Sequence, residues 1–255
     1  MPIISIAIQK GGSGKTTTAI NLGAALCLAG KKVLLVDADP QANLSQSLGV
    51  EDEPAFNLYT ELKKEMLGDG GDLSKTIVST PQGMDIVPAS IDLAIAELEL
   101  VSVYGREQLL SWLLKPLAPA YDYVLIDCPH AVGMLTVNAL VASDYVLMPL
   151  PGEFLPLKGV YSFMRQFDMI RKKLNSRLEL LGILMTRFDE RKLMNVGVKR
   201  QLEEKFNGKV FQTVIRTNLQ LAKAQQAGQD IFSFDKSANG AVDYRLLADE
   251  LMKKS

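Results

Sequence analysis

The chain has 255 residues, 47% of them hydrophobic, enough for a full core, and its 28 Lys+Arg against 29 Asp+Glu leave it near neutral. No apolar run approaches the roughly 20 residues of a membrane helix, no signal-peptide pattern opens the chain, and no Pro/Gly/Ser-rich linker divides it, so one cytoplasmic domain over residues 1–255 is expected. Two cysteines, Cys27 and Cys128, suit reduced thiols better than a disulfide framework, with a single bridge left open.

In chain order, Ile3 to Ile8 reads as a short buried strand that runs into the glycine turn of "AIQKGGSGKTTTAI". From Thr16 the spacing of Ala19, Leu22, Ala25, Leu26 and Ala29 predicts a helix that Gly30 stops. Strand, glycine loop and helix in this order form a phosphate loop. Its backbone N–H groups and the positive helix end attract anions, Lys15 adds a charge for the β- and γ-phosphates, and the Thr16 hydroxyl is a candidate Mg²⁺ ligand. One departure stands out: the usual loop has glycine six residues before its lysine, whereas here Gln9 takes that place and a second lysine, Lys10, follows it.

"KKVLLVDADPQAN" predicts a second buried strand, Val33 to Val36, ending at Asp37 and Asp39; "MDIVPA" and "YDYVLIDCPH" predict two more, the latter ending at Asp127. Helices are expected over Ile91 to Val101, Arg106 to Leu114 and Met134 to Ala142. Strands follow at Tyr145 to Leu150, Leu180 to Met185 and Val210 to Ile215, with helices near Lys158 to Leu174, Lys192 to Phe206 and Ala241 to Met252. Strands apolar on both faces and separated by helices describe an α/β fold, a mostly parallel central sheet covered on both sides. Ligands sit at the carboxyl ends of such strands, where the three aspartates gather with the loop. One aspartate after a strand is usually a turn or cap; three beside a phosphate loop point to a metal site.

The near-neutral total hides a split. Residues 1–157 hold 9 Lys+Arg against 18 Asp+Glu, and residues 158–223 hold 15 against 6, a surplus of nine. Such a block is either the footprint of a polyanion or the solvated faces of helices.

"KGGSGKTTTAINLGAALCLAG", "VLLVDADPQAN", "YDYVLIDCP" and "LTVNAL", in this order, resemble the ParA/Soj partition ATPases of the deviant Walker A group, which also includes MinD, and the likeness runs from Pro2 to about Leu251. The resemblance implies a seven- or eight-stranded P-loop NTPase sheet and an ATP-bound sandwich dimer. It explains the second lysine: Lys10 is expected to cross the interface to the partner's phosphates, with Gly11 and Gly12 letting the two loops approach. By the family's motifs, Gly11, Gly12, Ser13, Gly14, Lys15, Thr16 and Thr17 hold ATP. Lys10 and Lys15 stabilise developing charge, Thr16 binds Mg²⁺ with Asp37 and Asp127 nearby, and Asp39 orients the attacking water.

The same resemblance implies slow ATP hydrolysis stimulated by a ParB-type centromere-binding partner, and non-specific DNA binding on the nucleoid. The candidate DNA contacts in the basic block are Arg187, Arg191, Lys192, Lys199, Arg200, Arg216 and Lys223. Where relatives often read "IPRNVRLSEAP", this chain has "IRTNLQLAKAQ", so Thr217 and Gln220 stand where arginines are usual and the DNA surface is expected to be shifted or weaker. Asn218 keeps its place and is a candidate nucleotide contact. "DCPH" in place of "DCPP" puts the single histidine, His130, after Asp127, as a loop substitution or a phosphate-facing group.

Three alternatives share the loop. A MinD-like membrane regulator is disfavoured by the tail "GAVDYRLLADELMKKS", which reads as an ordinary packing helix, and no membrane partner is expected. An iron–sulfur carrier needs a companion for Cys128, and a ligase needs an acceptor motif; neither is found. An ATPase that positions a protein cluster instead of DNA stays open. With so short a lead before the loop, no N-terminal helix-turn-helix, and so no operator-specific autoregulation, is expected.

Overall fold

In the computed structural model, which describes residues 1–50, 54–152 and 157–254, strands and helices alternate along the chain. The first half runs β1 (Ile3–Ile6), α1 (Lys15–Leu28), β2 (Val33–Asp37), α2 (Asn43–Ser47), α3 (Leu58–Leu67), β3 (Val78–Ser79), β4 (Asp85–Val87), α4 (Leu93–Glu99), α5 (Leu109–Leu114) and β5 (Tyr123–Asp127). The second runs α6 (Met134–Ala142), β6 (Tyr145–Pro151), α7 (Leu157–Lys173), β7 (Glu179–Phe188), α8 (Leu193–Lys205), β8 (Val210–Arg216), α9 (Leu219–Gln226), α10 (Ile231–Asp235) and α11 (Asn239–Met252).

Among the described residues the strands form one eight-stranded sheet in the order β3-β4-β2-β5-β1-β6-β7-β8, within the expected count. Every pairing is parallel except the edge pair β3 with β4. The alternation of side chains along each strand sorts neighbours to opposite faces. Leu34 and Val36 pack in a cluster with residues of α3 to α6, whereas Val33 and Leu35 pack in a second cluster with residues of α1, α10 and α11. A sheet apolar on both faces needs helices on both, which is why its strands read as continuous hydrophobic runs.

The expected elements are present with shifted ends. The helix expected over 91–101 is α4 extended by a 3₁₀ turn at Leu100–Ser102, and the one expected from Arg106 starts only at Leu109. Helices α2, α3, α9 and α10 and the two-residue strand β3 were not foreseen. Of these, α3 carries a readable signal: the Asn57 side chain accepts from Thr60 N–H while the Thr60 hydroxyl contacts Asn57, a reciprocal capping box, and Gly68 at φ 80° ends the helix.

β1 stands between β5 and β6 in the middle of the sheet, so the loop that leaves its carboxyl end opens at the centre of the sheet's upper edge. Residue Asp37 on β2 is the register partner of Asp127 on β5, which is itself the partner of Ile6 on β1. The parallel register thereby delivers both aspartates to the loop.

Candidate nucleotide site

The glycine turn is wound tightly over the end of β1. Gly12 and Gly14 have φ of 65° and 90°, a left-handed backbone that a side chain strains, and Gly14 caps α1 without any side-chain help. A Cβ on Gly14 would stand 3.6 Å from Thr186, so the loop also lies close against β7. There the Thr186 hydroxyl donates to the Ser13 carbonyl at 2.8 Å. At Gly11 and Gly12, by contrast, nothing lies within 4 Å of a would-be Cβ.

Lys15 is buried, and its Nζ donates across the loop to the Lys10 carbonyl at 3.5 Å. Thr16 Oγ1 donates to Asp127 Oδ2 at 2.7 Å. The other carboxylate oxygen of Asp127 is buried with no partner. Asp37 is different: Oδ1 accepts Asp39 N–H at 3.2 Å, and Oδ2 accepts Ser45 N–H at 2.9 Å and Ser45 Oγ at 2.7 Å. Burial pushes the Asp37 carboxyl up to about 6, and burial together with the charge of Asp37 drives Asp127 well above the usual carboxylate range. Two acids held this way call for a cation.

The donor set fits Mg²⁺. A hydroxyl and a carboxylate oxygen with no partner suit an ion that keeps several waters and takes further oxygens from substrate phosphates. Thr16 Oγ1 and the unpartnered Asp127 oxygen would face it directly or through water, and Asp37, occupied on both oxygens, acts at one remove. Bound there, the ion would neutralise charge on the phosphates.

A cavity of about 370 Å³ is lined by Gly11 to Thr17, Asp39, Gln41, Asn43, Ser47, His130, Arg187 and Gln225. A smaller one of about 160 Å³ shares Gly14, Thr17, Arg187 and Gln225 with it and adds Asn218, Leu221 and Tyr244. Gly11 to Thr17, Asp39 and His130 thus share the larger cavity, Asp127 is joined to it through Thr16, and Asn218 stands in the smaller one. Asn218 lines the smaller cavity but also caps α9, its side chain accepting from Gln220 N–H at 2.8 Å.

Missed in sequence were Ser45, Ser47 and Gln225, and Arg187, which lines both cavities, was expected at the DNA surface instead. Gln225 accepts from Thr17 Oγ1 at 2.8 Å and donates to Ser47 Oγ at 3.3 Å, tying α9 to both α1 and α2. It stands where the related pattern has proline, a signal visible in the departure noted above.

The seven expected DNA contacts separate. Arg187, at φ 48° on β7, lines the nucleotide cavities instead of the basic face. Arg216 is latched to Asp243 of α11 at 2.6 Å. Arg191, Lys192, Lys199 and Arg200 lie on α8 and its lead-in, and Lys223 is exposed on α9. Arg191 pairs with Asp189 at 2.9 Å, Arg200 with Glu204 at 3.1 Å and Lys199 with Glu203 at 3.8 Å, so part of the surplus charge is compensated locally.

A family model describing an AAA domain matches residues 1–180. The sporulation initiation inhibitor protein Soj of Bacillus subtilis is 40% identical over 250 residues, covering 98% of this chain and 97% of that one. The chromosome partitioning protein ParA of Myxococcus xanthus is 39% identical over 252 residues, covering 99% and 88%. Among solved structures, a cobyrinic acid a,c-diamide synthase of Mycobacterium smegmatis with bound ADP and magnesium superposes with a TM-score of 0.86 at 36% identity, covering 99% and 94%. With full-length likeness at this identity and a phosphate loop set over paired aspartates, the chain belongs to the ParA/Soj family of P-loop ATPases, and ATP and Mg²⁺ are its substrate and cofactor.

Proposed function

We propose that the protein is a partition ATPase whose two copies close around ATP, bind DNA without sequence preference, and separate after slow hydrolysis stimulated by a ParB-type partner. The observation that carries the dimer is Gly11. Its backbone does not require glycine and its own fold leaves open space where a side chain would go, room into which the loop of a second copy can approach. Beside it Lys10, half-exposed, uses its carbonyl to hold Lys15 and leaves its ammonium for a neighbour.

Within the site, phosphoryl transfer needs positioning and charge more than covalent help. Lys15, fixed by the Lys10 carbonyl, meets the β- and γ-phosphates; Lys10 of the other copy adds charge as it develops; and Asp39, at the cavity wall with its Oδ1 accepting Gln41 N–H at 3.0 Å, orients the attacking water.

DNA binding is supported by the basic block, carried by Arg191, Lys192, Lys199, Arg200 and Lys223, with Arg187 and Arg216 reassigned to the cavity and the α11 latch. Helix α11 commits Ala241, Tyr244, Leu247, Ala248 and Leu251 to the core, leaving that face no role at a membrane surface, and no described helix is long and apolar enough to cross one.

Light scattering of the parent and of Lys10→Ala, each with ADP and with a non-hydrolysable ATP analogue, tests the reading. The parent should pair only with the ATP analogue, while the variant stays single and still binds ADP. A variant that pairs as readily as the parent overturns the proposed role.

A further inference from the structure

Helix α6 begins at Met134, directly after the loop that follows Asp127. Its own cap position, Gly133, offers no side chain to the first N–H groups, which have no acceptor within the helix. They are served from another helix: Glu97 of α4 accepts Met134 N–H on Oε2 at 2.6 Å and Leu135 N–H on Oε1 at 3.0 Å. A carboxylate there also meets the positive end of the α6 dipole. Gly133 is shaped by the same contact. Its backbone, at φ −99° and ψ −167°, is open to any residue, yet a Cβ would fall 2.4 Å from Glu97 Oε2.

The loop between Asp127 and α6 is therefore fixed at both ends. Asp127 is held by Thr16, the first residues of α6 by Glu97, and Thr136 Oγ1 ties back to the Ala131 carbonyl at 2.7 Å. Between these anchors His130 lies on the cavity wall with Lys15, Thr16 and Asp39.

We infer that Glu97 is a positioning residue for ATP hydrolysis: by gripping the start of α6 it sets the height of the 128–133 loop over the phosphates, and so the placement of His130. Glu97 touches no nucleotide and acts through that loop alone. The inference rests on the ATPase chemistry of this site and requires neither DNA nor a partner protein.

Single-turnover hydrolysis and fluorescent-ADP affinity, measured without DNA, test it in Glu97→Ala, Glu97→Gln, Gly133→Ala and the double variant Glu97→Ala/Gly133→Ala. Because misplacement of about 1 Å costs up to about a hundredfold in rate, Glu97→Ala and Gly133→Ala should each slow hydrolysis by about tenfold or more while ADP affinity stays within about twofold. Glu97→Gln, which keeps one acceptor oxygen, should recover part of the rate. The double variant should be no slower than the worse single one, because both changes break one contact. Parental rates in Glu97→Ala, additive losses, or hydrolysis and ADP affinity falling together with the melting temperature would each overturn the inference. If Glu97→Ala does not fold, the Gln and Gly133 variants carry the same comparison. A parent that does not hydrolyse ATP at all would instead count against the ATPase assignment.

Discussion

The chemistry of the site is concentrated in Asp37, Asp39 and Asp127, three carboxylates of one residue type in three physical states. Asp39 lies at the cavity wall and holds its own turn, a position compatible with the water-orienting role proposed for it. Asp39→Ala should keep ATP binding and pairing but lose hydrolysis; normal turnover in a phosphate-release assay would refute the role. Asp37 is fully buried with a carboxyl at about 6 against an ordinary 3.8. A raised folded value means that the native protein retains, between about pH 4 and 6, a proton that the unfolded chain has released. The stability contributed by Asp37 is therefore present at low pH and lost as pH rises through about 6, on the order of 3 kcal/mol. In urea titrations with EDTA, Asp37→Asn should flatten this part of the pH profile, and Mg²⁺ with nucleotide should flatten it in the parent by favouring the ionised pair. An unchanged slope in the variant contradicts the assignment.

Between elements, the contacts that matter join the carboxyl edge of the sheet to the last third of the chain. Thr18 of α1 shares a hydrogen bond with the buried Tyr244 of α11 at 3.2 Å, and Gln225 of α9 spans Thr17 and Ser47. The edge strand β8 is held to α11 by Asp243, which accepts the Arg216 N–H at 2.9 Å and three further bonds from its guanidinium. Asp243 is 4% exposed as a residue whereas the Arg216 side chain is 44% exposed, so screening reduces what a fully buried pair would contribute. Arg216→Ala should destabilise the protein by about 1–3 kcal/mol in denaturant unfolding, chiefly by stranding a buried carboxylate. Its effect on DNA affinity should be smaller than that of Lys223→Ala, on the exposed face of α9, since its charge is already matched; the opposite order in a binding titration returns Arg216 to the DNA surface.

For the whole molecule, the separation of charge along the chain becomes a separation in space only in part. The nucleotide edge draws on the acidic first half, and α8 presents the basic block, thinned by its pairs with Asp189, Glu203 and Glu204. Should the ATP-bound dimer neutralise about six phosphates, DNA affinity should fall about 10³-fold between 50 and 200 mM salt. A salt-independent affinity removes DNA from the account. Pairing through Lys10 has a comparable electrostatic basis: one ammonium about 4 Å from a phosphate oxygen gains roughly 4 kcal/mol at an effective dielectric of about 20, before desolvation. On the proposed reading, loss of the γ-phosphate would loosen the dimer and so couple the chemistry to assembly.

The sequence by itself determined the class of fold, the phosphate loop and the aspartates behind it. Those signals are local: a buried parallel strand is apolar without interruption, a phosphate loop needs glycines at fixed offsets from a lysine, and acids at strand ends have few structural uses in such numbers. Short elements were illegible because α2 and α10 have five residues each and β3 two, too few to display a period. Tertiary structure alone decided that Arg187 joins the nucleotide cavity, that Arg216 is spoken for by Asp243, and that Glu97 caps a helix 37 residues further on. Each of these depends on which partner a charge meets across the fold, and a charged residue looks the same in sequence whether its partner is solvent, a phosphate or a buried acid.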